Sequence, residues 1–87
     1  MDYIIYTFDS SNIAYLALDL VEKNSVRARL VPLLAEIDAG CGLCLRFEEK
    51  DREKVENIIE KSNLLYKERY RLIYKDRKPE VLSYDLS

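Results

Sequence analysis

The residues best suited to chemistry are gathered in "GCGLC", positions 40–44. This pentapeptide holds both cysteines and both glycines of an 87-residue chain. An ionised thiol is a nucleophile, able to attack sulfur or selenium, ligate a metal or form a disulfide. Gly40 and Gly42 permit a sharp turn on either side of Cys41 and leave its thiol unshielded. A buried thiol rarely needs glycines on both sides, and packing is the alternative role for Cys41. Cys44 differs, because it falls within the alternating stretch "LCLRF" (43–47). There Leu43, Leu45 and Phe47 face one way, and Cys44 and Arg46 the other. Cys44 either fills a strand position as a small apolar residue or serves as a second, resolving thiol. With residues 41–44 extended, the two Cα atoms are roughly 10 Å apart. A disulfide needs them within about 7 Å. The CxxC spacing therefore makes a redox pair only if the chain turns tightly.

Composition removes several other chemistries. Histidine is absent, so neither a Cys-His pair nor a Ser-His-Asp triad can form within the chain. Two thiols cannot close a four-ligand zinc site unless two copies each contribute a CxxC. No glycine-rich phosphate loop occurs, and the acidic residues do not converge on an acid/base pair. No metal or cofactor is expected. Two cysteines do not make the disulfide framework of a small secreted domain. The opening "MDYIIYTFD" starts acidic, with an apolar core too short for a leader. No apolar stretch approaches the ~20 residues that cross a membrane. A formal charge of −2 gives no general drive toward nucleic acid or anionic lipid. The expectation is a cytoplasmic protein with reduced thiols.

The elements that must position Cys41 follow from periodicity. "YIIYTF" (3–8) is apolar, aromatic and β-branched, a strand. "DSSN" (9–12) supplies helix N-cap residue types, and the helix after it carries an apolar stripe of Ile13, Leu16, Ala17, Leu20 and Val21, stopping near Asn24. "VRARLV" (26–31) is a second strand, ended by Pro32. After an irregular segment, 43–47 is the third strand. "EEKDREKVENIIEKSN" (48–63) is a second helix with a narrow stripe of Val55, Ile58 and Ile59. "LYKERYRLIY" (65–74) is a fourth strand. A short alternating piece after Pro79 adds an edge strand, pairs with another chain, or frays.

This order is βαββαβ, an α+β fold of ferredoxin-like type: a four-stranded antiparallel sheet, two helices on one face and a short C-terminal extension. One domain over residues 1–75 is expected, with 76–87 as the extension. The other sheet face would be uncovered and basic, with Arg27, Arg29, Arg46, Lys67, Arg69 and Arg71 outward beside Cys44. Tyr66, Tyr70 and Tyr74, sharing the face of Leu72, would pack as core or against the sheet. The topology also brings the loop 32–42 to the sheet end where the first helix begins. A helix N-terminus offers free N–H groups and about half a positive charge, which favours a thiolate. Ser10, Ser11 and Asn12 could donate hydrogen bonds to an anion there, while Asp9 opposes it.

The stretch "ARLVPLLAEIDAGCGLCLRF", together with the opening strand–helix and the second helix, resembles a small bacterial family of selenium/sulfur carrier protein-like domains. The resemblance covers residues 3 to about 74. Its specific part is a proline after the second strand, a short "EI" approach, then Cys-Gly and a strand ending Arg-Phe. Pro32, Glu36, Ile37, Cys41, Gly42, Leu43, Arg46 and Phe47 match as they stand. Cys44 departs, occupying a place where a small or apolar residue is expected. The resemblance implies that Cys41, with Gly42 beside it, carries sulfur or selenium as a persulfide or selenopersulfide. It further implies donor and acceptor proteins as partners, a pyridoxal-phosphate cysteine desulfurase among the donors, and a thiol carrier rather than a turnover enzyme. Two other functions are open on the residues alone. One is a non-catalytic interaction or dimerisation module using the basic face. The other is single-stranded nucleic-acid binding on that face, against which "GLCLRF" fails the aromatic pattern such sheets use.

Overall fold

The computed structural model describes residues 2–32, 43–75 and 78–83. The chain runs through β1 (Asp2–Thr7), α1 (Ser11–Lys23), β2 (Ala28–Pro32), β3 (Leu43–Glu48), a 3₁₀ turn (Glu49–Asp51), α2 (Arg52–Lys61), β4 (Glu68–Lys75) and β5 (Lys78–Ser83). It is an α+β fold with two helices and one antiparallel sheet. The sheet has five strands in the order β2-β3-β1-β4-β5, not four. The fifth pairs with β4 from Tyr70↔Ser83 to Lys75↔Lys78. The second helix begins later than its acidic start suggests, because Glu48 stays in the β3 ladder opposite Tyr3 and the 3₁₀ turn intervenes.

The core lies between the helices and one sheet face. Ile4 and Tyr6 of β1, Leu45 and Phe47 of β3, Ala14, Ala17 and Val21 of α1, and Val55 and Ile59 of α2 form one buried cluster. The α1 stripe is rotated from the one periodicity picks out. Ala14, not Leu16, is on the contact line, and Leu16 is 60% exposed. At 100° per residue, Ala14, Ala17 and Val21 share one narrow arc. Small alanines there let the helix lie close to the sheet.

Both helices end alike. At α1, Val26 N–H donates to Val21 O (3.0 Å) and Ser25 N–H to Glu22 O (3.0 Å), around a left-handed Ser25 (φ 65°). At α2, Leu64 N–H donates to Ile59 O and Asn63 N–H to Glu60 O, both 3.2 Å, around Asn63 (φ 54°). These bonds satisfy carbonyls left open at a helix end. In each case the residue after the turn (Val26, Leu64) joins the same core as the residue it bonds (Val21, Ile59).

The fourth strand is turned over relative to expectation. Arg69 and Arg71 are on the helix side, where Arg69 meets Glu56 (3.4 Å) and Arg71 meets Glu49 (3.4 Å) and Asp2 (3.6 Å). Lys67 precedes the strand and donates its N–H to Thr7 O. Leu72 instead faces the opposite side with Ile5 and Cys44. These three are each 1% exposed, packed by Tyr3, Val31, Tyr70 and Val81. That second face therefore holds a small apolar core, and only part of it is basic. The physical reason is the second helix. It brings Glu56 and the turn before it brings Glu49 to the rim of the helix side, where arginines find partners.

Candidate functional site

The candidate site is the end of the sheet at which β1 delivers the chain to α1. Thr7, the last residue of β1, pairs with Cys44 on one side and Glu68 on the other. The Thr7 hydroxyl is fully buried and ties this end together: it accepts from Glu68 N–H (3.0 Å) and donates to Glu68 O (3.3 Å). β2 and β3 pair from Ala28↔Phe47 to Pro32↔Leu43. Pro32 and Leu43, the ends of the connection 33–42, are thus adjacent, one pair beyond the Val31↔Cys44 pair. The start of β3 and the start of α1 share one end of the sheet. Gly40, Cys41 and Gly42 lie outside the described residues.

Ser10 is the N-cap of α1, with extended backbone (φ −144°, ψ 155°). Its Oγ accepts from Ile13 N–H (3.3 Å), and its carbonyl accepts from Ala14 N–H (3.2 Å). The Ser10 oxygen is committed to the helix, a role for which serine is among the best residues. Ser11 and Asn12 are exposed, as is Asp9. The three residues expected to stabilise an anion are therefore contiguous at the opening of α1, with one already serving as cap.

Cys44 is placed apart from them. Its side chain is on the face opposite α1, buried within the Ile5–Leu72 cluster. Alternation along β3 assigns this face correctly: Leu45 and Phe47 are in the main core, Cys44 in the second cluster.

Two features escape sequence reasoning. On the second face, the Arg46 guanidinium stacks on Tyr3, 4.6 Å from the ring centroid. It also donates to Tyr74 Oη (3.4 Å), and Tyr74 meets Tyr3 edge-on at 5.7 Å. On the helix side, Tyr6 and Tyr66 meet edge-on at 4.9 Å. Arg69 lies 5.1 Å from the Tyr66 ring centroid, beside a depression of about 530 Å³. The signal for both is the face taken by β4, which its own alternation leaves ambiguous.

Among the described residues no group of three or more metal-ligating side chains converges, and no helix is long and apolar enough to cross a membrane. Comparison with curated proteins and with solved structures finds no match. The family described as Putative Se/S carrier protein-like matches residues 2–71. That match runs from the first strand into the fourth, including the cysteine-bearing connection and the opening of α1. By this match the chain belongs to the Putative Se/S carrier protein-like family.

Proposed function

We propose that this chain is a sulfur or selenium carrier whose working atom is the Cys41 sulfur. One observation supports the reading most: β3 begins at the same sheet end as α1, through the Thr7↔Cys44 pair. Cys41 is two residues before Leu43, so covalent geometry keeps their Cα atoms within about 7 Å. The opening of α1 shares that sheet end, and a helix N-terminus carries a partial positive charge that favours a thiolate brought near it. The scaffold around it is read as ferredoxin-like βαββαβ with β5 added at one edge.

Loading is a transfer between persulfides. The Cys41 thiolate attacks the outer sulfur of a donor protein's persulfide, a new S–S bond forms, and the donor's thiolate leaves. Unloading is the reverse in kind. An acceptor nucleophile takes the outer atom and the Cys41 thiolate is released, with no net oxidant consumed. With selenium as cargo, the outer atom is selenium and the leaving thiolates are the same. The carrier then needs docking surface more than acid/base residues, which suits a chain without histidine. Donor and acceptor are other proteins of a reducing compartment, the donor a cysteine desulfurase. Cys44, buried and inside a ladder, is read as packing.

The test is mass measurement after incubation with a desulfurase and cysteine. Wild type and Cys44→Ala gain one sulfur, removable by reductant, and Cys41→Ser does not. A sulfur that persists in Cys41→Ser overturns the assignment. Alkylation against pH is the companion measurement, with a Cys41 midpoint expected below the ~8.5 of a free thiol.

A further inference from the structure

The arginines of the described residues fall into two groups. Arg52, Arg69 and Arg71 each meet a carboxylate: Glu49 at 4.0 Å, Glu56 at 3.4 Å, and Glu49 and Asp2 at 3.4 and 3.6 Å. Arg27, Arg29 and Arg46 meet none among the described residues, in a chain with 16 acidic residues. They are also gathered. Arg29 and Arg46 are direct cross-strand partners, an arrangement of like charges that costs stability. Arg27 is two residues before Arg29 along the same strand line, and all three border one depression of about 450 Å³ with Tyr3 and Glu48. Glu48 is near Lys50 (3.8 Å). Arg46 is held in place by its stack on Tyr3 and its bond to Tyr74. The guanidinium is thus oriented before any partner arrives.

Guanidiniums that meet no carboxylate among the described residues, one of them held against tyrosines, have the composition of a protein-binding hot spot. We propose that this patch docks a carboxylate-rich segment of a partner protein. Planar guanidiniums match carboxylates two bonds at a time, and the intermolecular pairs would relieve the Arg29–Arg46 repulsion. The patch surrounds the Ala28↔Phe47 pair, at the end of β2 and β3 away from the Pro32↔Leu43 pair that bounds the Cys41 connection, so the binding does not rest on the carrier reading.

The test is fluorescence anisotropy with a labelled short peptide alternating glutamate and serine, and with a single-stranded oligonucleotide of equal charge. The full chain is measured at about 20 mM and about 150 mM NaCl, where screening lengths differ by roughly a factor of three. Expected is saturable peptide binding, weaker at the higher salt, and weakened about tenfold or more in Arg29→Glu/Arg46→Glu. Arg52→Glu, outside the patch, stays within about twofold, and Cys41→Ser binds as wild type does. Should the double charge reversal not fold, Arg29→Gln/Arg46→Gln is read in its place. No peptide binding at low salt, tighter binding of the oligonucleotide, or an equal loss in Arg52→Glu overturns the proposal. So does self-association of the wild type, by sedimentation, that the double variant abolishes, because the acidic surface would then be a second copy's. Failure of Cys41 loading leaves these results untouched, so the two readings fail separately.

Discussion

Replacing Cys44 by alanine removes one buried sulfur from a cluster of Ile5, Leu72, Tyr3, Val31, Tyr70 and Val81. Sulfur is somewhat bulkier than a methylene, and deleting a buried group of that size costs about 0.5–1.5 kcal/mol. For a domain this small, a loss of about 1 kcal/mol lowers the melting temperature by about 4–8 °C. Cys44→Val nearly restores the volume with a branch that suits a strand, so its cost stays under about 1.5 kcal/mol. Thermal unfolding followed by circular dichroism reads both. The same burial predicts slow alkylation of Cys44. At 1% exposure the thiol reacts through opening of the sheet. An opening free energy of about 4 kcal/mol slows the reaction about a thousandfold relative to the unfolded chain. On the carrier proposal, both variants should gain sulfur on Cys41 to the same extent as the wild type. Alkylation of native Cys44 as fast as in denaturant would refute the packing argument. A neutral Cys44→Ala whose persulfide fails to form would make Cys44 a chemical participant instead.

Three further outcomes follow from the geometry. Thr7→Val keeps shape but removes the hydroxyl that serves both Glu68 N–H and Glu68 O. It should cost about 1–3 kcal/mol, read as a shift in urea midpoint at unchanged slope. Ser25→Gly and Asn63→Gly relieve the left-handed backbone at the two helix ends. Serine carries the larger penalty, so Ser25→Gly stabilises by about 1 kcal/mol and Asn63→Gly by less. Equal or opposite effects in calorimetry would count against the cap assignment. Ser10→Ala removes the cap of α1 and costs about 0.5–2 kcal/mol. It should also move the Cys41 alkylation midpoint little, because the Ser10 oxygen already accepts from Ile13.

The first three strands and both helices were legible in the sequence because their apolar patterns are unambiguous. Leu45 and Phe47 alternate with Cys44 and Arg46 and lie in the main core, while the continuous apolar run of β1 is buried on both faces. Ser10 was legible as an N-cap type for the same local reason. Phase within α1 was less so. Leu16 and Ala14 compete for the stripe, and hydrophobicity favours leucine where close packing against the sheet favours alanine. The face of β4 was not legible at all. Both of its alternating sets mix apolar and charged residues, and the choice is made by Glu49 and Glu56, which lie well before it in sequence. The Arg46–Tyr74 contact spans 28 positions, and no local pattern announces it. That β3 starts beside the opening of α1 was readable from connectivity alone, since each reversal of direction fixes the end at which the next element starts.

The chain's two prolines stand one in β2 and one in β5, which are the two outer strands of the sheet. Proline has no amide hydrogen, so each outer strand carries one backbone donor fewer, a residue choice typical of sheet edges. Growth by adding strand to strand, whether into paired copies or into fibrils, is obstructed at both borders. The backbone is thereby hard for another strand to capture, and encounters are left to side chains.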